Sequence, residues 1–143
     1  STNKTVLFLE RTHHRKLPSL HKIAASINKS ARDHGYKVQI LTDNVYHSLE
    51  YTMQMFHEAA VIVSPHGSGL ANLLFAQHGT FVLEVLCPFA AKKQHNPMFL
   101  KLAYLLGMRY HGVGAHTGCP DEDIVVDEDN IIETLKKIIE HKR

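Results

Sequence analysis

The chain has 143 residues, of which 44% are hydrophobic and 21% are charged. These values are typical of one compact globular domain and exclude disordered and fibrous proteins. The formal net charge of +2 is too small to indicate a nucleic-acid partner, and no apolar run approaches the roughly 18 residues of a membrane span. The start, Ser1 to Lys4, lacks the pattern of a signal peptide, so we expect a domain cut from a longer chain or a mature fragment. We expect residues 1–143 to form a single domain.

The first half of the chain alternates short apolar runs with segments of helical periodicity. Leu20, Ile23, Ala24 and Ile27 have helical spacing, and Gly35 is placed to end that helix. In chain order the predicted elements are a strand at 5–10, a helix that begins near Ser19, a strand at 37–42, a helix capped by Ser48 with Met53, Phe56 and His57 on one face, and a strand at 60–64. The last strand is apolar throughout, which is typical of a strand covered on both faces.

The second half continues this alternation after a Pro-His-Gly-Ser-Gly turn. Its predicted elements are a short helix from Leu70 to Phe75, a strand at 80–85, a helix begun by Asn96-Pro97 that ends at Gly107, a weaker strand at 109–113, and a last amphipathic helix capped by Asp127 or Asp129. Alternation at this spacing indicates parallel strands with right-handed crossovers. We therefore predict the α/β class, with a Rossmann-like parallel sheet of about five strands and helices on both faces.

Ligands of such sheets bind outside the carboxyl ends of the strands. This rule selects four places in the sequence: Glu10-Arg11, Thr42-Asp43, Ser64 to Gly69, and Glu84. The third of these carries the strongest signal, the turn Pro65-His66-Gly67-Ser68-Gly69-Leu70-Ala71-Asn72.

The glycines of this turn let the backbone bend tightly and approach a ligand. We expect the N–H groups of Ser68, Gly69 and Leu70 to point at an anion, with a phosphate or diphosphate as the natural ligand. On spacing alone, a strand-to-helix turn without a ligand is an equal alternative. Asn72 stands where a dinucleotide fingerprint has its third glycine, and the turn follows the third strand, so an NAD site is not predicted.

The segment from Ala59 to Phe75, together with Gly79 to Val85, closely resembles glycosyltransferase family 61. The hallmark of that family is a strand, then His-Gly-Ala-Gly-Leu-x-Asn, then a glycine turn and a strand that ends in Glu. Ser68 here replaces the usual Ala. The resemblance extends more weakly to 11–15 and 106–110. It covers most of the chain, but only the C-terminal part of the family's catalytic region.

The resemblance implies an inverting glycosyltransferase, with this chain as one lobe of a GT-B fold. Such an enzyme, a hexosyl- or pentosyltransferase, would transfer sugar from a nucleotide sugar, expected to be a UDP sugar, to a hydroxyl of a protein or glycan. The N-terminal lobe of the same enzyme would supply the catalytic base, so the chain alone is expected to be incomplete. Eukaryotic relatives imply the endoplasmic reticulum or Golgi lumen, whereas bacterial and viral relatives of the fold need no lumen, and the compartment stays open.

The resemblance also implies a set of site residues. Arg11 and Arg15 match basic residues near the donor phosphates, although Pro18 stands about where the family has an Asn. We predict that His66 is catalytic, because an imidazole can donate a hydrogen bond to the departing diphosphate. Guanidinium groups grip a diphosphate in a bidentate manner, so no metal cofactor is expected. The predicted donor-binding residues are Arg11, Arg15, Pro65, His66, Gly67, Ser68, Gly69, Leu70, Asn72 and Glu84.

Several alternatives stay open at this point. The chain could be a non-catalytic nucleotide-binding module, or a structural Rossmann-like domain in which the turn is only a turn. We expect Glu84 to accept hydrogen bonds from ribose hydroxyls, with a structural salt bridge as the alternative; His66 could instead hold the turn through the backbone. For Cys87 and Cys119 we favour free buried thiols over a disulfide.

Overall fold

The structure, a computed structural model, describes residues 4–87, 97–117 and 122–141. Five strands form one sheet in the order β2-β1-β3-β4-β5, and every neighbouring pair is parallel. The strands are β1 Thr5–Glu10, β2 Lys37–Thr42, β3 Ala59–Pro65, β4 Phe81–Leu86 and β5 Arg109–Gly114. This architecture confirms the predicted α/β fold class, and each predicted strand is correct to within one residue at either end.

Helices cover both faces of the sheet. They are α1 Leu20–Asp33, α2 Leu49–Glu58, a 3₁₀ helix Ser68–Phe75, α3 Met98–Leu105 and α4 Glu128–His141. The helices α1 and α4 pack on one face, and α2, the 3₁₀ helix and α3 pack on the other. Successive side chains of a strand point to opposite layers: in β1, Val6 and Phe8 face α1, whereas Leu7 and Leu9 face α2. No helix among the described residues is long and apolar enough to cross a membrane.

The predicted helix boundaries are largely confirmed by their caps. The Ser48 hydroxyl accepts a hydrogen bond from the N–H of Tyr51 at 3.1 Å, and Asp127 accepts one from the N–H of Asn130 at 3.1 Å. Gly35 has a φ of +82° after α1, as expected of a glycine that ends a helix. Asn96 lies outside the described residues, and Pro97, expected at the first helical position, is instead the N-cap residue before Met98.

The predicted inner face of α2 is wrong. Met53 and His57 are exposed, whereas Met55 and Phe56 are buried. In the sequence, Phe56 fits a helical face with Met53 and His57 as well as one with Met55, so periodicity alone does not distinguish the two faces. In the structure the buried face of α2 carries Met55 and Phe56, and the buried Ala59 follows α2 directly and begins β3.

The favoured interpretation of Cys87 as a free thiol is also wrong, because Cys87 is disulfide-bonded. Cys119 lies outside the described residues. Pairing depends on the distance and direction between two side chains in space, which sequence spacing does not specify.

Candidate functional site

A cavity of about 330 Å³ lies at the carboxyl ends of β1, β2 and β3. Its apolar wall is formed by Leu9, Leu41, Val45 and Phe56. Its polar lining includes Arg11, Asp43, His47, Ser64 and Asn72, together with the backbone of Gly67 and Gly69. Three of the four strand ends selected from the sequence therefore line this cavity, and the fourth, at Glu84, does not.

The cavity coincides with the point where the strand order reverses. From β1 the chain runs outward to β2, whereas from β3 it runs in the opposite direction to β4. The loops that follow β1 and β3 therefore part and leave a crevice, which is the usual ligand site of open parallel sheets. Arg11 follows β1 and Gly67 follows β3, so both stand at this crevice.

The guanidinium of Arg11 lies directly on the backbone of Gly67. A Cβ on Gly67 would overlap Arg11 Nη1 and would lie 3.0 Å from Cζ. The φ of Gly67 is 168°, an extended conformation that any residue adopts, so the glycine is explained by the room it leaves for the Arg11 guanidinium and not by the bend. Arg11 Nε donates to the carbonyl of His14 at 3.1 Å, and its two Nη atoms have no acceptor among the described residues. Those Nη atoms are available for an anion.

The segment after the turn differs from the predicted short α-helix. It is a 3₁₀ helix, in which the N–H of Leu70 already donates to the carbonyl of Gly67 at 3.1 Å. The prediction that Leu70 offers an unpaired N–H is therefore wrong, because i→i+3 bonding satisfies N–H groups earlier than α-helical bonding does. The N–H of Gly69 has no partner among the described residues, and Gly69 lines the cavity. The side chain of Ser68 lies outside the described part of the structure.

His66 is held on the side of β3 that faces β4. Its Nδ1 lies 2.6 Å from Oε2 of Glu84, and its ring packs on Phe99 of α3 with 5.2 Å between ring centroids. The side chain is 12% exposed. Nε2 has no hydrogen-bond partner in the described ranges. A carboxylate at Nδ1 makes that nitrogen the N–H donor, so Nε2 is the atom that can meet a ligand.

Glu84 is fully buried, and both of its carboxylate oxygens have partners. Oε2 faces His66, and Oε1 accepts a hydrogen bond from the hydroxyl of Tyr110 on β5 at 2.5 Å. Burial, together with the hydrogen bond and the negative charge of Glu84, raises the pKa of Tyr110 well above its ordinary value, so the phenol keeps its proton and donates. The expected role of Glu84 as an acceptor for ribose hydroxyls does not fit this geometry, and the structural alternative does.

Asp43 stands at the cavity instead. Its Oδ1 accepts hydrogen bonds from the N–H and the hydroxyl of Thr12, at 3.0 and 2.6 Å, which ties the loops after β1 and β2 together. The second oxygen, Oδ2, has no partner among the described residues. The sequence selected Asp43 by its position at a strand end and assigned it no role.

The remaining predicted residues divide between the cavity and the scaffold. Asn72 lines the cavity. Pro65 is the buried last residue of β3, and the Leu70 side chain is fully buried, so these two residues shape the turn. Arg15 does not line the cavity and has a φ of +54°. Within the described ranges, no three His, Cys, Asp or Glu side chains are grouped so that they could hold a metal.

His47 and Tyr110 belong to this region and were not selected from the sequence. His47 lines the cavity, and its Nε2 is buried and has no hydrogen-bond partner in the described part of the chain. Nothing in the sequence around His47 marks it. Tyr110 completes the surroundings of Glu84, and the signal that could have identified it is its place in the weaker matching stretch at 106–110.

Comparison with known proteins identifies one family and several solved structures with a similar fold. The family model described as Glycosyltransferase 61 matches residues 1–83, more than half of the 143 residues. Comparison with curated protein sequences gives no significant match.

Three similar solved structures share the fold. They are a rubredoxin oxygen:oxidoreductase from Desulfovibrio gigas (18% identity, TM-score 0.51, 97% of this chain and 35% of that chain), a diflavin flavoprotein from Nostoc sp. (12%, 0.55, 97% and 90%), and a flavodoxin-like domain from Synechococcus sp. (11%, 0.52, 95% and 93%). At these identities the similarity shows the fold alone. The chain spans 35% of the length of the first of them.

Proposed function

Since the chain belongs to glycosyltransferase family 61, we propose that it binds the nucleotide-sugar donor of an inverting glycosyl transfer. The family supports glycosyltransferase activity in general; the UDP sugar, the GT-B arrangement and an N-terminal lobe of the same enzyme belong to the proposal. The observation that carries it is the position of Arg11, whose guanidinium rests on Gly67 at the crevice and whose Nη atoms have no acceptor among the described residues. A guanidinium held in this way suits a diphosphate.

The order of strands along the sheet edge suggests how the donor lies. The nucleoside occupies the part of the cavity between β2 and β1, where Leu41 and Val45 offer an apolar wall. Asp43 Oδ2 accepts a hydrogen bond from a ribose hydroxyl there, the role that we had expected of Glu84. The diphosphate meets Arg11 and the N–H of Gly69 between β1 and β3. The sugar then extends toward β4, on the side where His66 stands.

The reaction follows from this placement. An acceptor hydroxyl on a protein or glycan attacks the anomeric carbon, the new carbon–oxygen bond forms, and the bond from that carbon to the diphosphate breaks with inversion. The hydroxyl proton passes to a base, which we place in the N-terminal lobe. Arg11 stabilises the negative charge that develops on the departing nucleoside diphosphate. With its proton on Nδ1, His66 Nε2 is an acceptor, so we place it against a hydroxyl of the donor sugar and not, as expected from the sequence, as a hydrogen-bond donor to the diphosphate. We propose that this transfer is metal-independent, because the guanidinium takes the place of a cation.

The compartment is also a proposal. Disulfides form and persist in oxidising environments, and Cys87 is disulfide-bonded. This favours a secretory lumen or another oxidising compartment over a reducing cytosol.

A titration with UDP tests the donor site. We expect UDP added to the ¹⁵N-labelled chain to shift the amide signals of Gly67 and Gly69, and we expect Arg11→Ala to weaken binding. Arg109→Ala is the matched control, because Arg109 is an exposed arginine at the start of β5, the opposite end of the strand from the site. If the Gly69 amide signal does not move at millimolar UDP, or if both arginine variants lose the same affinity, the donor site is not here.

A second candidate is a nucleotide-binding module without transferase activity. The observation that favours it is the strand order, which the chain shares with flavodoxin-like folds, and two of the similar structures are a flavoprotein and a flavodoxin-like domain. FMN is therefore included as a separate arm of the titration. FMN binding without UDP binding would favour this second candidate.

A further inference from the structure

A continuous chain of hydrogen bonds runs from β5 to the end of β3. It joins the Tyr110 hydroxyl to Glu84 Oε1 at 2.5 Å, and Glu84 Oε2 to His66 Nδ1 at 2.6 Å. Its middle member is 0% exposed. A buried carboxylate is strongly unfavourable unless both oxygens are satisfied, so Glu84 depends on Tyr110 as well as on His66.

The sheet is built to admit this arrangement. Tyr110 and Gly112 of β5 lie beside Val82 and Glu84 of β4, so the phenol reaches Glu84 by leaning along the sheet over Gly112. A Cβ on Gly112 would lie 3.2 Å from the Tyr110 hydroxyl oxygen and 2.9 Å from Leu86 Cδ1. The backbone of Gly112 does not have the left-handed conformation that favours glycine, so the space it leaves for Tyr110 is what the glycine provides.

We propose that Glu84 and Tyr110 are positioning residues, which together fix the ring of His66 with its proton on Nδ1 and with Nε2 directed away from Glu84 toward the donor. Glu84 determines which nitrogen carries the proton. Tyr110 occupies the second carboxylate oxygen, so that Glu84 cannot rotate or turn to another donor. Phe99 restrains the ring from the side of α3. The part of this proposal that concerns the donor rests on the proposed function; the state of the His66 ring does not.

The ring nitrogens of His66 report directly on this arrangement. We expect long-range ¹H–¹⁵N NMR of the chain, at a pH where the imidazole is neutral, to show the Nδ1–H tautomer. We expect Tyr110→Phe to shift both ring-nitrogen signals and to increase the Nε2–H form, because an unpaired buried oxygen drives Glu84 to rearrange. Gly112→Ala should produce the same change by displacing the phenol. Tyr104→Phe is the matched control, since Tyr104 is 81% exposed on α3.

Donor binding provides the second measurement. Tyr110 lies outside the cavity lining, yet we expect Tyr110→Phe to weaken UDP binding roughly threefold to tenfold, with amide spectra that show a retained fold. Tyr104→Phe should leave the affinity unchanged. A general loss of packing would lower the unfolding midpoint without changing the tautomer, so the nitrogen signals separate positioning from stability.

Each outcome decides one question. The Nε2–H tautomer in the wild-type chain would overturn the inference even if neither variant folds. Unchanged ring signals in a folded Tyr110→Phe variant would overturn it as well. A wild-type chain that shows the expected tautomer and its response to Tyr110→Phe, but binds no UDP, would support the inference about the ring and refute the proposed function.

Discussion

Replacing Gly67 with alanine perturbs the proposed donor site without touching Arg11 itself. The added Cβ would overlap Arg11 Nη1 and would lie 3.0 Å from Cζ and 3.4 Å from Cδ. Because the backbone at Gly67 is extended, alanine adds no backbone strain. The guanidinium must therefore move off the turn, and its hydrogen bond to the carbonyl of His14 is disturbed as well.

The size of the effect follows from what the guanidinium does. A hydrogen bond to a charged group contributes about 1.5–3 kcal/mol, so losing it should weaken UDP binding by roughly tenfold to 100-fold. The bond between Arg11 and His14 is on the surface, so we expect the thermal midpoint to fall by only a few degrees. Calorimetric titration with UDP measures the first quantity, and a thermal melt measures the second.

A double-mutant cycle with Arg11→Ala tests the reasoning itself. With Arg11 truncated, the space beside Gly67 is empty, so Gly67→Ala should cost almost nothing further. If Gly67→Ala weakens UDP binding equally in both backgrounds, the methyl group acts on the ligand directly and the contact with Arg11 is not the reason for the glycine. If Gly67→Ala binds UDP as the wild-type chain does, the guanidinium in this position is not part of the site.

Three further predictions concern stability. Leu70→Ala should lower the free energy of unfolding by about 2–5 kcal/mol, because Leu70 is fully buried. Leu74 on the same 3₁₀ helix is 63% exposed, so Leu74→Ala should change this free energy by less than about 0.5 kcal/mol. Urea unfolding of both variants measures the difference. Ser48→Ala should cost about 1 kcal/mol through the lost cap of α2, also measured in urea, and an unchanged midpoint would argue against that cap. The raised pKa of Tyr110 means that the folded chain keeps this proton while the unfolded chain releases it near pH 10. Stability present below pH 10 is therefore lost as the pH rises above it, and Tyr110→Phe should lose less between about pH 9 and 11; an equal loss in both chains would contradict this.

The strands were predictable because their signal is local. A buried parallel strand is a short apolar run bounded by polar residues and glycine, and β3 is buried along its whole length. The phase of α2 was not predictable in this way. Phe56 fits two alternative helical faces, and only packing against the sheet distinguishes the face with Met55 from the face with Met53 and His57. The disulfide at Cys87 likewise depends on packing that no local pattern encodes.

The cavity was predictable as a location more than as a set of contacts. The rule that ligands bind at the carboxyl ends of parallel strands selected Arg11, Asp43 and Gly67 correctly as neighbours in space. The same rule selected Glu84, but it does not specify what lies beyond a strand end. Glu84 is enclosed by partners 18 residues before it and 26 residues after it, His66 and Tyr110, and such contacts appear only when the sheet is assembled.

The two glycines of the turn look alike in the sequence, but the structure gives a different reason for each. Gly67 makes room for another part of the protein, because the Arg11 side chain occupies the place of its Cβ. Gly69 does not, since a Cβ there would meet only Leu9 Cδ1, at 3.8 Å, an ordinary contact. Yet Gly69 lines the cavity with an N–H that has no partner among the described residues. Among the described residues neither backbone conformation nor packing accounts for a glycine at position 69, whereas the donor site that we propose would, because a diphosphate there would approach the backbone closely. Gly69, more than Gly67, therefore marks where the diphosphate is expected to lie.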